Sequence, residues 1–155
     1  MTTDEDGKAD WRLSLAKAAF NGACDLIDRE DRTAADDREM LVRTAAAHYL
    51  WEPIGGDEQK VVADWQVAHV LSWLGCGDLA LRFAEAALQR AEENNWSDWR
   101  LASCFEGMAR AHAILGNSHE RDRYAEKCRA VLTTLKDEED REIVAGQLST
   151  VPGIG

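Results

Sequence analysis

Few side chains in this sequence are spaced for metal binding. His48 and Glu52 are four residues apart, a spacing that can place two metal ligands on one face of a helix. A third ligand has to come from another segment, and His69 and Asp64 are the candidates. No HExxH motif, paired ExxH motif or cysteine-rich set accompanies them. The sequence therefore offers His48 and Glu52 as metal candidates but predicts no bound metal or cofactor.

Signatures of catalysis are also missing from the sequence. A cysteine–histidine nucleophilic site needs a cysteine beside a base, and no local motif marks one. The glycines at 55–56 and at 75 and 77 lack the flanking strand and the Lys-Ser/Thr pair of a phosphate-cradling loop. We therefore expect no catalytic residues and no enzymatic activity.

Composition predicts a globular protein of the cytoplasm. The chain has 155 residues, 45% hydrophobic and 30% charged, which is enough to bury a core without disulfides or metal. Its net charge is −11 and it has no cluster of Lys or Arg, so nucleic acid and membrane are not expected partners. Four scattered cysteines, without a secretory signal or a long apolar run, indicate free thiols in a reducing compartment.

Start and stop signals divide the chain into about seven predicted helices. Residues 1–9 are predicted to be a flexible acidic arm, and residues 10–150 a single helical domain. Thr33, with Asp36 three residues later, resembles a capping box. No segment alternates with period two between hairpin turns, so the predicted fold class is all-α. The other candidate N-caps are Asp10, Asp57, Ser97 and Asp137.

Two stretches of the sequence repeat at an offset of 41 residues. Residues 68–85 read AHVLSWLGCGDLALRFAE, and residues 109–126 read ARAHAILGNSHERDRYAE. Both contain a helix, a Leu-Gly turn and an aromatic-Ala-Glu triplet, which indicates a repeated helix-turn-helix unit. Gly75 and Gly116 occupy the turn, where a residue without a Cβ can end a helix with positive φ.

This pattern resembles tetratricopeptide repeats. Ala80 and Ala87 match the small-residue positions at which the second helix of such a repeat packs on the first. Arg121 stands where an alanine is expected, and the 41-residue period is nearer to the long repeats of kinesin light chains than to the common form of about 34 residues. The resemblance implies a right-handed solenoid of helical hairpins.

The resemblance also divides the domain into units. They are a divergent first hairpin at 10–52, repeat one at 58–95, repeat two at 97–136 and a capping helix at 137–149. A cap with a polar outer face protects the exposed end of a solenoid. The first helix carries fewer charges, and it is the candidate surface for a homodimer.

In such repeats the first helices line a concave groove that is the usual binding face. The positions that match this groove are Val62, Trp65, His69, Ser72, Trp73, Ser103, Glu106, Arg110 and Ala113. Aromatic rings beside a cation, an anion and a titratable ring form a mixed surface suited to peptides or small ligands. The alternative is that the two tryptophans are core residues and that Glu106 and Arg110 form a solvated i,i+4 pair.

Three functions follow as hypotheses. The leading one is a non-enzymatic module that binds a protein or peptide in the groove, because it rests on both the repeat and the groove composition. The second is a small-molecule or metal-responsive helical protein. The third is a structural subunit that works as a homo-oligomer.

Overall fold

The protein folds into seven α-helices joined by short turns, in a computed structural model that describes residues 3–154 and the side chains of residues 10–154. In chain order the helices are α1 (Thr3–Ile27), α2 (Ala34–Trp51), α3 (Asp57–Trp73), α4 (Gly77–Glu93), α5 (Trp99–Ile114), α6 (Ser118–Leu132) and α7 (Glu138–Ser149). No strand occurs within residues 3–154, and the predicted all-α class with seven helices is confirmed. Across the same range, every helix is too short or too polar to cross a membrane.

Consecutive helices pack in pairs. Helix α1 packs mainly on α2, α3 on α4, and α5 on α6. Successive pairs then join, because α2 also contacts α3, and α4 also contacts α5. On one side of this stack α3 contacts α5, and α5 contacts α7. Helices α3, α5 and α7 therefore form one continuous layer.

Small side chains allow the helices of a pair to approach closely. Ala80 and Ala87, at the predicted small-residue positions of α4, are fully buried. Ala87 belongs to a core cluster that also contains Val61 of α3 and Met108 of α5. Because an alanine side chain occupies little space between two backbones, α4 packs closely against α3 and α5.

The two Leu-Gly turns have the same structure. Gly75 and Gly116 both have a φ of 77°, as the repeat predicts. The amide of the following residue donates to a carbonyl in the last helical turn, at 2.8 Å after Gly75 and 2.9 Å after Gly116. This pattern is a Schellman motif, which satisfies carbonyls that the end of a helix leaves free.

Helix starts agree with the sequence where a side chain can reach back to the backbone. The amide of Asp36 donates to Oγ1 of Thr33 at 3.1 Å, and the amide of Thr33 donates to Oδ2 of Asp36 at 2.9 Å. Asp137 caps α7 by accepting from the amide of Asp140 at 3.0 Å. Both predicted caps are therefore confirmed.

Three other helix starts differ from the prediction. Helix α1 begins at Thr3 and not at Asp10, so most of the predicted arm is helical. Acidic residues near the start of a helix are favoured by the positive end of its dipole. Residues 1–2 of the predicted arm lie outside the described residues. Gly56 precedes α3 in place of Asp57, and its amide donates to Oε1 of Gln59 at 3.0 Å. Asp98 caps α5 in place of Ser97, since its carboxylate accepts from the amide of Arg100.

Alanine substitution at the two turn glycines tests the shared turn. No atom lies within 4 Å of a Cβ built at Gly75, Gly116 or Gly146, so only backbone conformation distinguishes the three sites. Gly75→Ala and Gly116→Ala should each lower the free energy of unfolding by about 1–2 kcal/mol, because alanine resists positive φ. Gly146→Ala, within α7, should raise it by about 0.5–1 kcal/mol. Urea denaturation measures all three, and a turn variant as stable as the wild type would contradict the assignment.

Candidate functional site

A groove of about 850 Å³ lies between the end of α1, the exposed face of α3 and α7. Helix α3 contributes Trp65, His69 and Trp73, which share one face because they are four residues apart. The α1 side of the groove consists of Cys24, Ile27, Asp28, Arg29, Glu30 and Arg32. The α7 side consists of Glu142, Ile143, Gly146, Gln147 and Thr150.

A second cavity of about 270 Å³, called the side cavity below, lies between α3, α5 and α7. It shares Trp65, Ile143 and Gln147 with the groove, so the two spaces adjoin. Its other lining residues are Val61, Val62, Trp99, Arg100, Ser103, Cys104, Asp140 and Val144. The groove is therefore mixed in character, and the side cavity is mainly apolar.

A buried ion pair supports the floor of the groove. Nε of Arg110 donates to Oε1 of Glu106 at 2.7 Å, and the two side chains are 2% and 0% exposed. Nε1 of Trp65 donates to the other carboxylate oxygen at 3.2 Å. Trp65 and Glu106 are 41 residues apart, so equivalent positions of the two repeats contact each other across α3 and α5.

The same arginine holds α7 in place. Nη2 of Arg110 donates to the carbonyl of Gln147 at 2.8 Å and to Oγ1 of Thr150 at 2.7 Å. These acceptors lie at the C-terminal end of α7, where a cation is favoured by free carbonyls and by the helix dipole. One side chain of α5 thus positions the wall of the groove.

A second arginine closes α1 in a similar way. Nη1 of Arg32 donates to three main-chain carbonyls at the end of α1, at 2.8 to 3.2 Å. Its guanidinium carbon lies 5.2 Å from the centre of the Trp73 ring, and that of Arg110 lies 5.4 Å from it. Trp73 therefore stands where the C-terminal ends of α1 and α7 converge, and two cation–π contacts hold it there.

Burial and neighbouring charges change the pKa values of His69 and Glu106 beneath the groove. Burial lowers the pKa of the His69 imidazole, and the carboxylate of Glu106 opposes this shift only in part. Burial alone would raise the pKa of Glu106, but the charge of Arg110 and the proximity of His69 lower it to about 2. The floor therefore carries a neutral imidazole next to a charged carboxylate–guanidinium pair at neutral pH.

The structure places the predicted groove residues in two layers. Trp65, His69 and Trp73 line the groove, while Val62 and Ser103 line the side cavity. Glu106 and Arg110 lie underneath and do not contact solvent, so the alternative of a solvated pair is wrong. Their role is to hold the layer above, because both charges are occupied by hydrogen bonds within the protein.

Two predicted groove residues belong to the interior. The hydroxyl of Ser72 is buried and donates to the carbonyl of Ala68 at 2.8 Å, so it is not available to a ligand. Ala113 packs against the core cluster between α5, α6 and α7. Both lie on the flanks of their helices, where neighbouring helices cover them.

The sequence did not predict the walls of the groove. They come from the end of α1, the following loop and α7, all outside the two repeats from which the groove positions were inferred. The only local signal was Arg32 just after a helix end, because arginine often binds free terminal carbonyls. That signal identifies a cap, not a binding wall.

The two metal candidates have different neighbours. Nε2 of His48 lies 2.7 Å from Oδ1 of Asp64, which links α2 to α3, whereas Glu52 lies 3.7 Å from Nζ of Lys60. The hydrogen bond to Asp64 raises the pKa of His48, and partial burial opposes the shift. In the part of the chain that the structure describes, no three His, Cys, Asp or Glu residues are grouped to hold a metal ion.

The groove and the side cavity adjoin each other above the buried pair, and α1, α3, α5 and α7 all contribute to them. Comparisons of the chain with protein-family models, with curated proteins and with solved structures gave no match. The chemistry of these side chains is therefore the basis for the function proposed below.

Charge removal at the buried pair tests its structural role. Arg110→Met should lower the free energy of unfolding by about 3–5 kcal/mol, because it leaves the carboxylate of Glu106 buried without its positively charged partner. The double variant Glu106→Gln/Arg110→Met should lose less than the sum of the single variants. Urea denaturation of the complete cycle measures this coupling.

An exposed pair with the same spacing provides the control for this cycle. Arg43 contacts Glu39 at 2.8 Å, also as an i,i+4 pair, on the surface of α2. Arg43→Met should cost about 0.5 kcal/mol or less. Equal losses at the two sites, or additive losses within the buried cycle, would contradict a structural role for the Glu106–Arg110 pair.

The raised pKa of His48 predicts how stability depends on pH. The contribution of protonated His48 to stability is complete below about pH 6.5, the ordinary pKa of histidine, and declines as the pH rises through the higher pKa of the folded state. His48→Gln keeps a donor toward Asp64 but does not titrate. The difference in unfolding free energy between wild type and variant should therefore shrink from acid to alkaline pH, and a constant difference would contradict the shift.

Proposed function

We propose that this chain is a non-enzymatic binding module that receives an extended peptide segment in the groove between α1 and α7. The observation that carries this proposal is the construction of the groove. Its floor presents Trp65 and Trp73, and a buried ion pair beneath them ties that floor to the α7 wall. Tryptophan is enriched among the residues that dominate the energy of protein interfaces.

The groove and the adjoining side cavity leave room for several side chains of a ligand. The groove of about 850 Å³ lies within the usual range of about 300–1,000 Å³ for ligand pockets. The side cavity adjoins it through Trp65 and provides apolar space of about 270 Å³. An extended peptide has alternating side chains, so one apolar side chain can enter the side cavity while its neighbours stay in the groove.

The rigidity of the floor also supports binding. Trp65 is held by its hydrogen bond to Glu106, and Trp73 by its contacts with two guanidinium groups. A ligand that meets side chains already in place avoids part of the cost of ordering them. Such a surface is suited to recognition, because little binding free energy is spent on rearrangement.

The tetratricopeptide-like assignment belongs to the same proposal. Two features support it: the identical turns at Gly75 and Gly116, and the contact between the equivalent residues Trp65 and Glu106. A layer of first helices that faces a groove is the arrangement by which helical repeats bind extended segments.

Selection of displayed random peptides tests the proposed function. Short peptides are selected on the folded full-length chain, and the enriched ones are then synthesised and measured by fluorescence polarisation. Trp73→Ala should weaken their binding by about tenfold or more, because it removes an aromatic contact from the floor. Tyr49→Ala is the matched control, since Tyr49 is an exposed aromatic residue on α2 that lines neither cavity.

The control variant should bind the selected peptides as the wild type does. Circular dichroism of both variants establishes that the fold is intact. The proposal would be overturned if no peptide were enriched, or if enriched peptides bound Trp73→Ala with unchanged affinity.

A further inference from the structure

The arginines that line the groove are already paired with aspartates outside its lining. Arg29 lies 3.5 Å from Oδ1 of Asp36, and Nε of Arg32 lies 3.0 Å from Oδ1 of Asp37. Arg32 also donates to the carbonyls that end α1. The positive charges of the groove are therefore engaged in holding the α1–α2 turn.

The carboxylates that line the groove, unlike its arginines, have no ion-pair partner among the described residues. Asp28 and Glu30 on the α1 side and Glu142 on α7 have exposed side chains, and none of them has an ion-pair partner among the described residues. Asp140, in the adjoining side cavity, is likewise without one. The chain as a whole carries a net charge of −11. Both the lining and the long-range field therefore favour a cation.

Two buried polar atoms of the groove lining complete no hydrogen bond within the described residues. Nδ1 of His69 and Oε1 of Gln147 are buried and have no hydrogen-bond partner among the described residues. The His69 side chain is only 4% exposed, and its nearest carboxylate oxygen, on Glu106, is 3.9 Å away. Oε1 of Gln147 is an acceptor, whereas Nδ1 of His69 accepts or donates according to the tautomer of the imidazole. Lysine and arginine head groups carry several donors and no acceptor, so they complement the Gln147 oxygen and carboxylates do not.

The aromatic floor is compatible with the same ligand chemistry. Trp65 lines both the groove and the side cavity, whereas the Trp73 ring already has the guanidinium groups of Arg32 and Arg110 close to it. Indole rings attract cations through their faces, and arginine stacks on them more often than lysine does. The aliphatic stems of both basic side chains can cover apolar surface while the charged groups reach the carboxylates.

From these observations we infer that the groove binds a basic peptide segment. Its Lys or Arg head groups lie between the carboxylates of Asp28 and Glu142, and one apolar side chain occupies the side cavity. This inference rests on the proposed function and names the chemical class of its ligand. An acidic peptide is disfavoured, because the arginines of the lining are already paired and the unpaired charges are negative.

Charge reversal on the two walls tests this inference. Peptides selected on the wild type should be enriched in Lys and Arg over the starting library, and they should bind more weakly as ionic strength rises. The variant Asp28→Lys/Glu142→Lys should bind them at least about tenfold more weakly. Glu85→Lys/Glu92→Lys, on exposed positions of α4 that line neither cavity, applies the same total charge change and should have little effect.

The outcomes separate the inference from the function on which it rests. Enriched peptides that are neutral or acidic and that lose binding on Trp73→Ala would overturn the basic ligand and leave the peptide-binding function standing. An equal loss on the α4 control would also overturn it, because overall charge and not the groove would then be responsible. Failure of the selection itself, or indifference to Trp73→Ala, would overturn the function and the inference together.

Discussion

The buried ion pair between Glu106 and Arg110 is the interaction on which the arrangement of the last three odd-numbered helices depends. Removing two charges from water costs several kcal/mol for each ion, and mutual attraction offsets this cost only with good geometry and additional hydrogen bonds. Here those bonds come from different helices: Trp65 on α3, and the end of α7 at Gln147 and Thr150. The pair is satisfied only when α3, α5 and α7 are all in place. It therefore favours one relative arrangement over alternatives that an alanine-rich core would tolerate.

The floor of the groove depends on different side chains at positions 41 residues apart in α3 and α5. Trp65 and Glu106 are 41 residues apart, as are His69 and Arg110; Trp65 donates to the Glu106 carboxylate, and His69 lies 3.9 Å from the same carboxylate. Identical side chains at these positions would leave two like groups in contact. Instead, an indole N–H meets a carboxylate, and a guanidinium reaches on to the next helix. The upper layer is thereby left aromatic, while the charges that fix it stay buried.

The ends of α1 and α7 form the walls of the groove. At the end of each helix an arginine donates to main-chain carbonyls, and its guanidinium also lies close to the Trp73 ring. Because these arginines are occupied, the positive charge near the groove is structural. The carboxylates of Asp28, Glu30 and Glu142 have no ion-pair partner among the described residues, and this asymmetry is the physical basis for proposing a basic peptide as the ligand.

Features that depend on a few neighbouring residues could be predicted from the sequence. The seven helices, the positive φ of Gly75 and Gly116 and the capping box at Thr33 all result from local hydrogen bonds and from backbone freedom. The register of the repeat also located the face that carries Trp65, His69 and Trp73, since residues four apart share one side of a helix. These predictions required no knowledge of which helices meet.

The tertiary structure alone decided which of those side chains are accessible. Glu106 and Arg110 have the same i,i+4 spacing as the exposed pair Glu39 and Arg43, so spacing could not distinguish a buried network from a surface pair. The walls of the groove could not be inferred either, because they join α1 and α7, which are separated by more than a hundred residues of sequence. Burial and proximity depend on which helices pack against a face, and helical periodicity carries no information about that choice. The α3 face that forms the floor of the groove could therefore be predicted from the sequence. The depth of the groove, its walls and the pairing of its charges depend on how the seven helices pack.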